Sequence, residues 1–421
     1  MAAIGSRITM RPCSLLILLL AGGFYFNFAC CLDDEAQPQL DLLQAGLLEE
    51  QDLNEARRAS GREEIFLLED KDYPRSLFED FSRRVGQVSG ISALPSADVV
   101  IFHRAERQWN GATQMPLLGE ANFSRAELAH ELDRLEEQLI KNNTLMVIDG
   151  DQGNELWSFG ANLFYMPHSV ASDAHGNLWV SDSGRHQVMR FPNVGAGVRR
   201  NQRRQRQQQQ GNATKSDSLK LVLWPDIVLG EAFTQGQDGA HFCQPAEVAP
   251  SSDGRLVFVA DGYCNNRVMV FTGAGQFVAS FGQEHSMRVV HSLALMEARN
   301  LLCAADRENA RILCFRAGLD GDLESLGELR LKLNYPIGFV YALTPIGPDH
   351  LLVSSRQLDS KRYDLAILNP FTRALKLVWT SSDLLEPHSL ARTADGQFAY
   401  AADVSRDAFK KVFKFNVIAR L

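Results

Sequence analysis

The sequence predicts an all-β protein, a six-bladed β-propeller, because related segments recur along it with a constant strand pattern and a constant period. The clearest copies begin at Pro167, Pro245, Val290 and Pro387, and fainter copies begin at Val88 and Pro336. Each clear copy consists of short β-rich runs separated by turns, in the order strand, turn, strand, turn, strand. Copies without insertions are about 45 residues apart, which is the period of one four-stranded propeller blade.

Length and composition are those of an ordinary globular protein. The chain has 421 residues, of which 45% are hydrophobic and 22% are charged. This length is sufficient to bury a large core in one or two domains, and the composition excludes a disordered or fibrous protein. The formal net charge of −8 argues against nucleic acid as the main partner.

Residues 1–31 have the pattern of a signal peptide. Arg7 and Arg11 precede an apolar run that begins at Leu15, and an acidic stretch begins abruptly at Asp33. This order of basic, apolar and polar segments favours a cleaved signal peptide, with an uncleaved signal anchor as the alternative. No later window contains the roughly 20 apolar residues of a membrane span, so we expect a soluble, secreted protein.

Two regions follow the signal segment. Residues 32–80 are acidic, poor in strand patterning and contain a dibasic pair at residues 57–58. They are interpreted as a propeptide-like or peripheral segment. Residues 81–421 contain the repeats and form the predicted propeller domain.

The wide spacing of the first repeats places insertions near residues 110–141 and 194–220. The first insertion contains a predicted helix, and its N-terminus has a capping box formed by Ser124 and Glu127. The second contains an Arg/Gln-rich tract over residues 199–210. This tract is interpreted as a solvated loop, with a polyanion-binding arm as the alternative.

Cysteine usage indicates an oxidising compartment. Beyond the signal segment the chain has an even number of cysteines, namely Cys243, Cys264, Cys303 and Cys314. Three pairings are possible, and we favour the local pairing of Cys243 with Cys264 and of Cys303 with Cys314. The first of these disulfides would fix the position of Tyr263. Three glycosylation sequons agree with secretion, at Asn122, Asn142 and Asn212.

Three histidines occupy the second position of alternate repeats, namely His168, His291 and His388. The other repeats carry Ser89, Ala246 and Ile337 at that position. Because equivalent positions of propeller blades are related by rotation about the central axis, three such imidazoles can converge there. A single histidine would most often be a structural core residue, but three neutral imidazoles with an open fourth position form a catalytic zinc arrangement. The pattern therefore predicts one zinc ion on the axis.

Longer runs of the sequence resemble one enzyme family, the peptidyl-α-hydroxyglycine α-amidating lyases of C-terminal peptide amidation. The resemblance extends from about Val88 to Phe415 and is carried by the runs NLFYMPHSV, HFCQPAEV, DGYCNNRV, VHSLAL, CAADRENARILCF and EPHSLA. It implies a six-bladed propeller with NHL-like repeats and zinc held by the three histidines. It also implies cleavage of a peptidyl-α-hydroxyglycine into an amidated peptide and glyoxylate.

The same resemblance implies the catalytic residues. The family's catalytic tyrosine corresponds to Tyr263, which would act as the base, and its active-site arginines correspond to Arg104 and Arg307. Free tyrosine titrates near about 10, so nearby guanidinium groups would have to stabilise its phenolate. The same groups can pair with the carboxylate of the substrate.

A structural calcium ion is also implied, deeper in the channel. In the family it is bound by two backbone carbonyls, which correspond to those of Val88 and Val170, and by an aspartate directly after the third histidine. This chain has Ser389 at the aspartate position, and Glu386 replaces a methionine that is usual in the family. Because a hydroxyl replaces an anionic ligand, we expect calcium to bind less tightly here.

The resemblance further suggests the setting of the reaction. The family's substrate is supplied by a copper monooxygenase, and no such domain fits within the residues that precede Val88. We therefore expect a free-standing, monomeric lyase of the secretory pathway and granule lumen, which receives its substrate from a separate monooxygenase.

Two functions of other classes stay open at this point. One is a non-catalytic, secreted binding propeller of the NHL type, which holds a protein partner on one face and needs no convergent histidines. The other is a calcium-dependent propeller hydrolase, which would place carboxylates and asparagines rather than imidazoles on the axis. Metal analysis separates these two alternatives.

Overall fold

Short runs of β-branched, aromatic and leucine residues, separated by turns, form strands along most of the chain. The computed structural model describes residues 64–73, 85–110, 113, 115–118, 123–199, 223–336, 338–358, 360, 362–379, 383–405, 407–408 and 410–420. These residues contain six antiparallel sheets of four strands each. The predicted all-β, six-bladed propeller is confirmed.

Each sheet is one blade, and consecutive strands of the chain form each of the first five blades. Blade 1 contains β2 (Val88–Ala93), β3 (Val99–His103), β4 (Leu145–Ile148) and β5 (Glu155–Phe159). Blade 2 contains β6 (Pro167–Ser172), β7 (Leu178–Asp182), β8 (Gln187–Phe191) and β9 (Ile227–Leu229). Blade 3 contains β10 (Glu247–Pro250), β11 (Leu256–Asp261), β12 (Arg267–Thr272) and β13 (Phe277–Phe281).

The remaining blades follow the same plan. Blade 4 contains β14 (Val290–Met296), β15 (Leu301–Asp306), β16 (Arg311–Arg316) and β17 (Leu329–Asn334). Blade 5 contains β18 (Gly338–Pro345), β19 (Leu351–Gln357), β20 (Tyr363–Leu368) and β21 (Leu375–Trp379). Blade 6 contains β22 (Pro387–Arg392), β23 (Phe398–Asp403), β24 (Val412–Arg420) and β1 (Glu64–Glu69).

Strand β1 closes the ring, because the outermost strand of the last blade comes from the N-terminal part of the chain. It pairs antiparallel with β24, and Ile65 lies opposite Ala419. The side chain of Ile65 is buried, and Glu69 forms a salt bridge of 2.9 Å with Lys410. Residues 64–69 therefore belong to the propeller and not to the peripheral segment 32–80 predicted from the sequence. A six-residue run inside an acidic segment gave no repeat signal.

The hydrophobic core lies between the blades. In β11 every residue is buried, and successive side chains pack against opposite neighbours. Phe258 belongs to a cluster shared with blade 4, whereas Val257 and Val259 pack with Trp179 of blade 2. Each blade is thus enclosed by two others, which fixes the inner strands rigidly around the axis.

The first insertion packs onto the propeller through a helix, α1 (Arg125–Glu137). Its predicted capping box is present, since Glu127 N donates to Ser124 Oγ at 3.3 Å and Ser124 N donates to Glu127 Oε2 at 2.8 Å. Leu135 is buried in a cluster with Tyr165 of blade 2. The described residues also form three short 3₁₀ helices, namely Gln283–His285, Glu297–Arg299 and Arg307–Asn309.

The second insertion begins with helical residues 194–199. Most of its Arg/Gln-rich tract, like the predicted signal peptide, lies outside the described residues. Within the part of the chain that the structure describes, no helix has both the length and the apolar character needed to cross a membrane.

The innermost strand of most blades has a β-bulge at the second position of the repeat. Strand pairing shifts register around Ser89, His168, His291, Tyr341 and His388. The residue of blade 5 that is equivalent to the histidines is therefore Tyr341, and the sequence-based assignment of Ile337 is wrong. The Pro-Ile dipeptide at residues 336–337 resembles the Pro-His dipeptide of other repeats in sequence. Strand β18 starts only at Gly338, however, so its bulge lies at Tyr341, four residues after Ile337.

Candidate active site

The three bulge histidines are held by identical hydrogen bonds. The Nδ1 atoms of His168, His291 and His388 lie 2.7 Å from the carbonyl oxygens of Ala246, Tyr341 and Ser89, respectively. Each acceptor is the residue at the equivalent position of the next blade. Because a carbonyl can only accept, each Nδ1 carries the proton and donates it, and each Nε2 is left with a lone pair.

The histidine rings converge on the propeller axis. Their potential ligand atoms all lie within 4.8 Å of one another, and the ring centroids are 4.8 to 5.1 Å apart. The Nε2 atom of His291 is buried and has no hydrogen-bond partner among the residues that the structure describes. A buried, unpartnered imidazole nitrogen beside two others fits a zinc ion, which accepts nitrogen ligands and keeps an open position in catalytic sites.

Electrostatics keep these imidazoles neutral. Burial, together with the neighbouring imidazoles and arginines, lowers the pKa of His168 and of His291 well below the ordinary value. Burial and Arg104 lower the pKa of His388 to about 3. Metal ligation requires the neutral form of histidine, so no proton has to be removed from these rings near neutral pH.

Buried aspartates at the ends of second strands position the segments that precede the histidines. Asp182 accepts a hydrogen bond from Met166 N at 2.9 Å, before His168. Asp306 accepts from Arg288 N at 2.6 Å, and Asp403 accepts from Glu386 N at 3.0 Å. These aspartates were not recognised in the sequence, although the dipeptides Ser-Asp and Ala-Asp recur at the end of the second strand of four repeats.

Blade 3 has the equivalent residue in Asp261, and its turn carries Tyr263. The Tyr263 hydroxyl oxygen lies 2.9 Å from His168 Nε2. The turn approaches the neighbouring blade so closely that a Cβ at Gly262 would lie 1.9 Å from the carbonyl oxygen of Val290. Only glycine fits there, so the backbone before His291 contacts the turn that carries the tyrosine.

The two arginines predicted from the sequence flank Tyr263. Arg104 is buried, donates from Nε to Pro167 O at 3.0 Å, and donates from a terminal nitrogen to Gln87 Oε1 at 3.0 Å. Its pKa is lowered by burial to about 10, so it stays charged at neutral pH. Arg307 lies with its guanidinium carbon 5.5 Å from the Tyr263 ring centre. The structure thus brings all six predicted catalytic and zinc-binding side chains together.

The pKa of Tyr263 differs from the expectation for a base held as phenolate. Burial raises this pKa above its ordinary value, and the charges of Arg307 and Arg104 offset only part of the rise. The arginines act in the expected direction, but desolvation is the larger effect. Without a further positive charge nearby, Tyr263 is a neutral phenol.

Trp109 is a site residue that was not found from the sequence. Its ring lies 5.0 Å from the ring of Tyr263 and 5.5 Å from that of His168. Gln87 Oε1 accepts from the backbone N–H of Trp109 at 2.7 Å, and this oxygen also accepts from Arg104. Trp109 follows Arg104 closely in the sequence, and an aromatic residue so close to a candidate arginine was the available signal.

Both predicted disulfides are confirmed. Cys243 and Cys264 are bonded, which anchors the residue next to Tyr263, and their Cα atoms are 5.5 Å apart. Cys303 and Cys314 are bonded between paired positions of β15 and β16. Of the predicted glycosylation sites, Asn142 is exposed and donates to Glu106 at 2.9 Å, while Asn122 and Asn212 lie outside the described residues.

Beyond the histidines, the channel continues as a cavity of about 420 Å³ that is lined by residues from the innermost strands of all six blades. Val170 and Ser389 line this cavity, and Val88 lies at the start of the innermost strand of blade 1. Ser389 Oγ accepts a hydrogen bond from Ile91 N at 3.2 Å. Glu247 also lines the cavity, and burial raises its pKa to about 8.

The fold and this cluster define the class of the protein, an enzyme built on a β-propeller. A family model of the NHL repeat matches residues 164–191, which include the first three strands of blade 2. The chain is 31% identical over 326 residues to a Caenorhabditis elegans protein named as a probable peptidyl-alpha-hydroxyglycine alpha-amidating lyase, covering 75% of this chain and 79% of that protein. It is 30% identical over 325 residues to peptidyl-alpha-hydroxyglycine alpha-amidating lyase 2 of Drosophila melanogaster, covering 76% and 69%. The chain belongs to the peptidyl-α-hydroxyglycine α-amidating lyases.

A longer relative is also similar. The chain is 32% identical over 370 residues to peptidyl-glycine alpha-amidating monooxygenase B of Xenopus laevis, and the match covers 84% of this chain. It spans only 36% of the length of that relative. The similarity therefore concerns one part of the longer protein.

Proposed function

We propose that this enzyme breaks the C–N bond of peptides that end in α-hydroxyglycine and releases an amidated peptide and glyoxylate, using zinc bound by His168, His291 and His388. The observation that carries the proposal is the convergence of three imidazoles, whose potential ligand atoms lie within 4.8 Å of one another, beside the hydroxyl group of Tyr263. Membership of the lyase family supports this reaction over a non-catalytic binding propeller or a calcium-dependent hydrolase.

The three Nε2 atoms would hold the metal, because each Nδ1 is already bonded to a backbone carbonyl. When bound, zinc supplies a Lewis acid that makes the substrate hydroxyl more acidic. The histidines lie on bulges of packed inner strands, so their rings are oriented before the metal binds.

Tyr263 would transfer the proton of the reaction. The substrate is an N-acyl carbinolamine, so cleavage needs removal of the hydroxyl proton and protonation of the leaving amide nitrogen. The phenolate of Tyr263 takes the hydroxyl proton while the C–N bond breaks and its electron pair moves to nitrogen. The phenol then gives that proton to the nitrogen, and the carbon becomes the aldehyde carbon of glyoxylate.

The arginines have two tasks in this scheme. Arg307 and Arg104 act on Tyr263 in the direction of a lower pKa, and this favours the phenolate. A guanidinium group also pairs with a carboxylate through parallel hydrogen bonds, which would orient the substrate. We assign the carboxylate of the hydroxyglycine to Arg104, because Gln87 and Pro167 fix the position of that side chain.

The source of the substrate and the cellular compartment are also part of the proposal. The Xenopus relative is named as a monooxygenase, which supports a separate copper monooxygenase as the source of the substrate. The two disulfides are compatible with the secretory pathway. A cleaved signal peptide over residues 1–31, glycosylation, a granule lumen, a monomeric state and calcium in the channel with Val88 and Val170 as carbonyl ligands remain predictions from the sequence.

A direct assay tests the proposal. The purified full chain is mixed with a synthetic peptide that ends in α-hydroxyglycine, and amidated peptide and glyoxylate are measured together. We expect both products in equal amounts, faster than in buffer alone, and no cleavage of the same peptide ending in glycine. No acceleration over the uncatalysed reaction would refute the proposal.

A further inference from the structure

Glu247 is a carboxylate in the channel that the proposed reaction does not use. It directly follows Ala246, the bulge-equivalent residue of blade 3, as Ser389 follows His388 in blade 6. Glu247 and Ser389 line the same cavity. In a ring of six blades the third and sixth are opposite each other, so the carboxylate faces the serine across the axis.

The surroundings of Glu247 contain hydroxyls rather than cations. Its carboxyl group interacts with the hydroxyls of Ser169 and Ser292, which come from the two adjacent blades, and with the backbone N–H of Val248. Among the described residues, no arginine or lysine forms a salt bridge with it. The side chain is half-buried and lines the channel.

A carboxylate in such a position is costly unless a positive charge accompanies it. The cavity of about 420 Å³ reaches Glu247, and it offers carboxylate and hydroxyl oxygens together with inner-strand backbone. Oxygen ligands without nitrogen or sulfur favour a hard cation such as calcium over zinc. The three imidazoles, in contrast, favour zinc over calcium.

We propose that Glu247 supplies the anionic ligand of a calcium-type divalent cation in the channel, in place of a carboxylate at position 389. The inference deepens the calcium part of the proposed function. The negative charge comes from blade 3 instead of blade 6, and Ser389 is occupied by its hydrogen bond from Ile91 N. Cation binding here is separate from zinc binding at the histidines.

The test is calcium-dependent stability of the full chain. Protein freed of calcium by a chelator is titrated with calcium chloride, and thermal unfolding is followed. We expect the wild-type chain to gain stability and Glu247→Gln to bind calcium at least about tenfold more weakly. Glutamine keeps the size and the hydrogen-bonding capacity of the side chain. Glu297→Gln, on the rim of the same cavity, is the matched control and should respond like wild type.

A double variant tests whether a carboxylate on blade 6 can replace the carboxylate on blade 3. We expect Ser389→Asp combined with Glu247→Gln to recover the calcium response. If Glu247→Gln fails to fold, Glu247→Asp, which keeps the charge, should still respond to calcium. An unchanged response in Glu247→Gln, or no response in the wild-type chain, would overturn the inference.

Zinc content and lyase turnover are measured on the same samples. Loss of the calcium response with zinc retained in Glu247→Gln supports a distinct channel site. A wild-type chain that responds to calcium but does not cleave the substrate refutes the proposed function and leaves the inference about Glu247 intact.

Discussion

The Nε2 atom of His168 and the hydroxyl oxygen of Tyr263 are 2.9 Å apart, although the two residues are separated by 95 positions in the chain. They come from adjacent blades, and the Cys243–Cys264 disulfide anchors the turn that holds the tyrosine. The contact places the candidate proton acceptor beside a candidate metal ligand. A bound metal would add the positive charge that the buried phenol needs to ionise.

Tyr263→Phe should lower kcat by roughly 10² to 10⁴ with little change in KM, because phenylalanine keeps the packing against Trp109 but cannot take the hydroxyl proton. Steady-state kinetics with a peptidyl-α-hydroxyglycine check this, together with zinc content and a melting curve, which should stay normal. Near-wild-type turnover in this variant would remove Tyr263 as the base.

The wild-type chain should retain about one zinc ion through dialysis, and His291→Ala should lose it, because two imidazoles do not complete the site. The Nε2 atom of His291 has no hydrogen-bond partner among the described residues, which leaves its lone pair available to a metal. Elemental analysis measures the zinc. His175→Ala, in an exposed turn of blade 2, is the control and should keep the full amount. Full retention in His291→Ala contradicts the three-histidine site.

The repeat was sufficient to predict the blades and the three histidines, because rotation about the axis converts equal sequence positions into neighbouring positions in space. Tyr341 was missed since a four-residue offset in blade 5 moves the bulge away from the matching dipeptide. Strand β1 was missed because its partner, β24, lies about 350 residues away, and no local pattern reports such a pairing.

Trp109 and Gln87 illustrate a different limit. Both lie outside the repeated strands, and Trp109 packs against a cluster that contains Leu118 and Leu135 of the first insertion. Insertions have no equivalent in other blades, so symmetry does not predict their contacts. The sequence was sufficient to predict a positioning role for Asp182, Asp306 and Asp403. These aspartates recur in the repeat, and buried carboxylates commonly accept hydrogen bonds from backbone N–H groups.

Gln87→Leu should reduce kcat/KM by about ten- to hundredfold, mainly through a higher KM, because it removes the acceptor that holds both Arg104 and the Trp109 backbone. Gln87 touches neither the metal ligands nor Tyr263 in the described contacts, so it is a positioning residue. Steady-state kinetics separate KM from kcat. Gln276→Leu, in an exposed outer turn of blade 3, is the control and should behave as wild type. A fall in kcat alone would contradict the positioning role.

The Asp261 carboxyl should make the unfolding free energy decrease as the pH rises from about 4 to about 6. Burial raises its folded-state pKa to about 6 from 3.8, so in this interval the folded chain binds more protons than the unfolded chain. Its stabilising contribution is complete below pH 3.8 and is lost as the pH rises through about 6. Denaturant titrations at a series of pH values measure the slope.

Asp261→Asn should make this slope shallower than in wild type but not abolish it, because burial also raises the pKa of Asp403 to about 6. The matched control is Asp253→Asn, because the backbone N–H of Arg255 and the Ser251 hydroxyl help to lower the pKa of Asp253 to about 2, so its own contribution changes only at lower pH. Equal slopes between pH 4 and 6 in wild type and Asp261→Asn would show that Asp261 does not titrate in this range.

The two disulfides should have different effects on activity. They close loops of 21 and 11 residues, so removing either one should cost about 2–4 kcal/mol of stability.

Of the four bonded cysteines, only Cys264 is next to Tyr263, and a displacement of the phenol by about 1 Å can cost on the order of 100-fold in rate. Replacing Cys243 and Cys264 by alanine should therefore lower kcat by about 10- to 100-fold with zinc retained. Replacing Cys303 and Cys314 by alanine should lower the melting temperature but change kcat less, because the pairing of β15 with β16 still holds the turn that carries Arg307. Equal kcat values for the two double variants would mean that the disulfide does not position Tyr263.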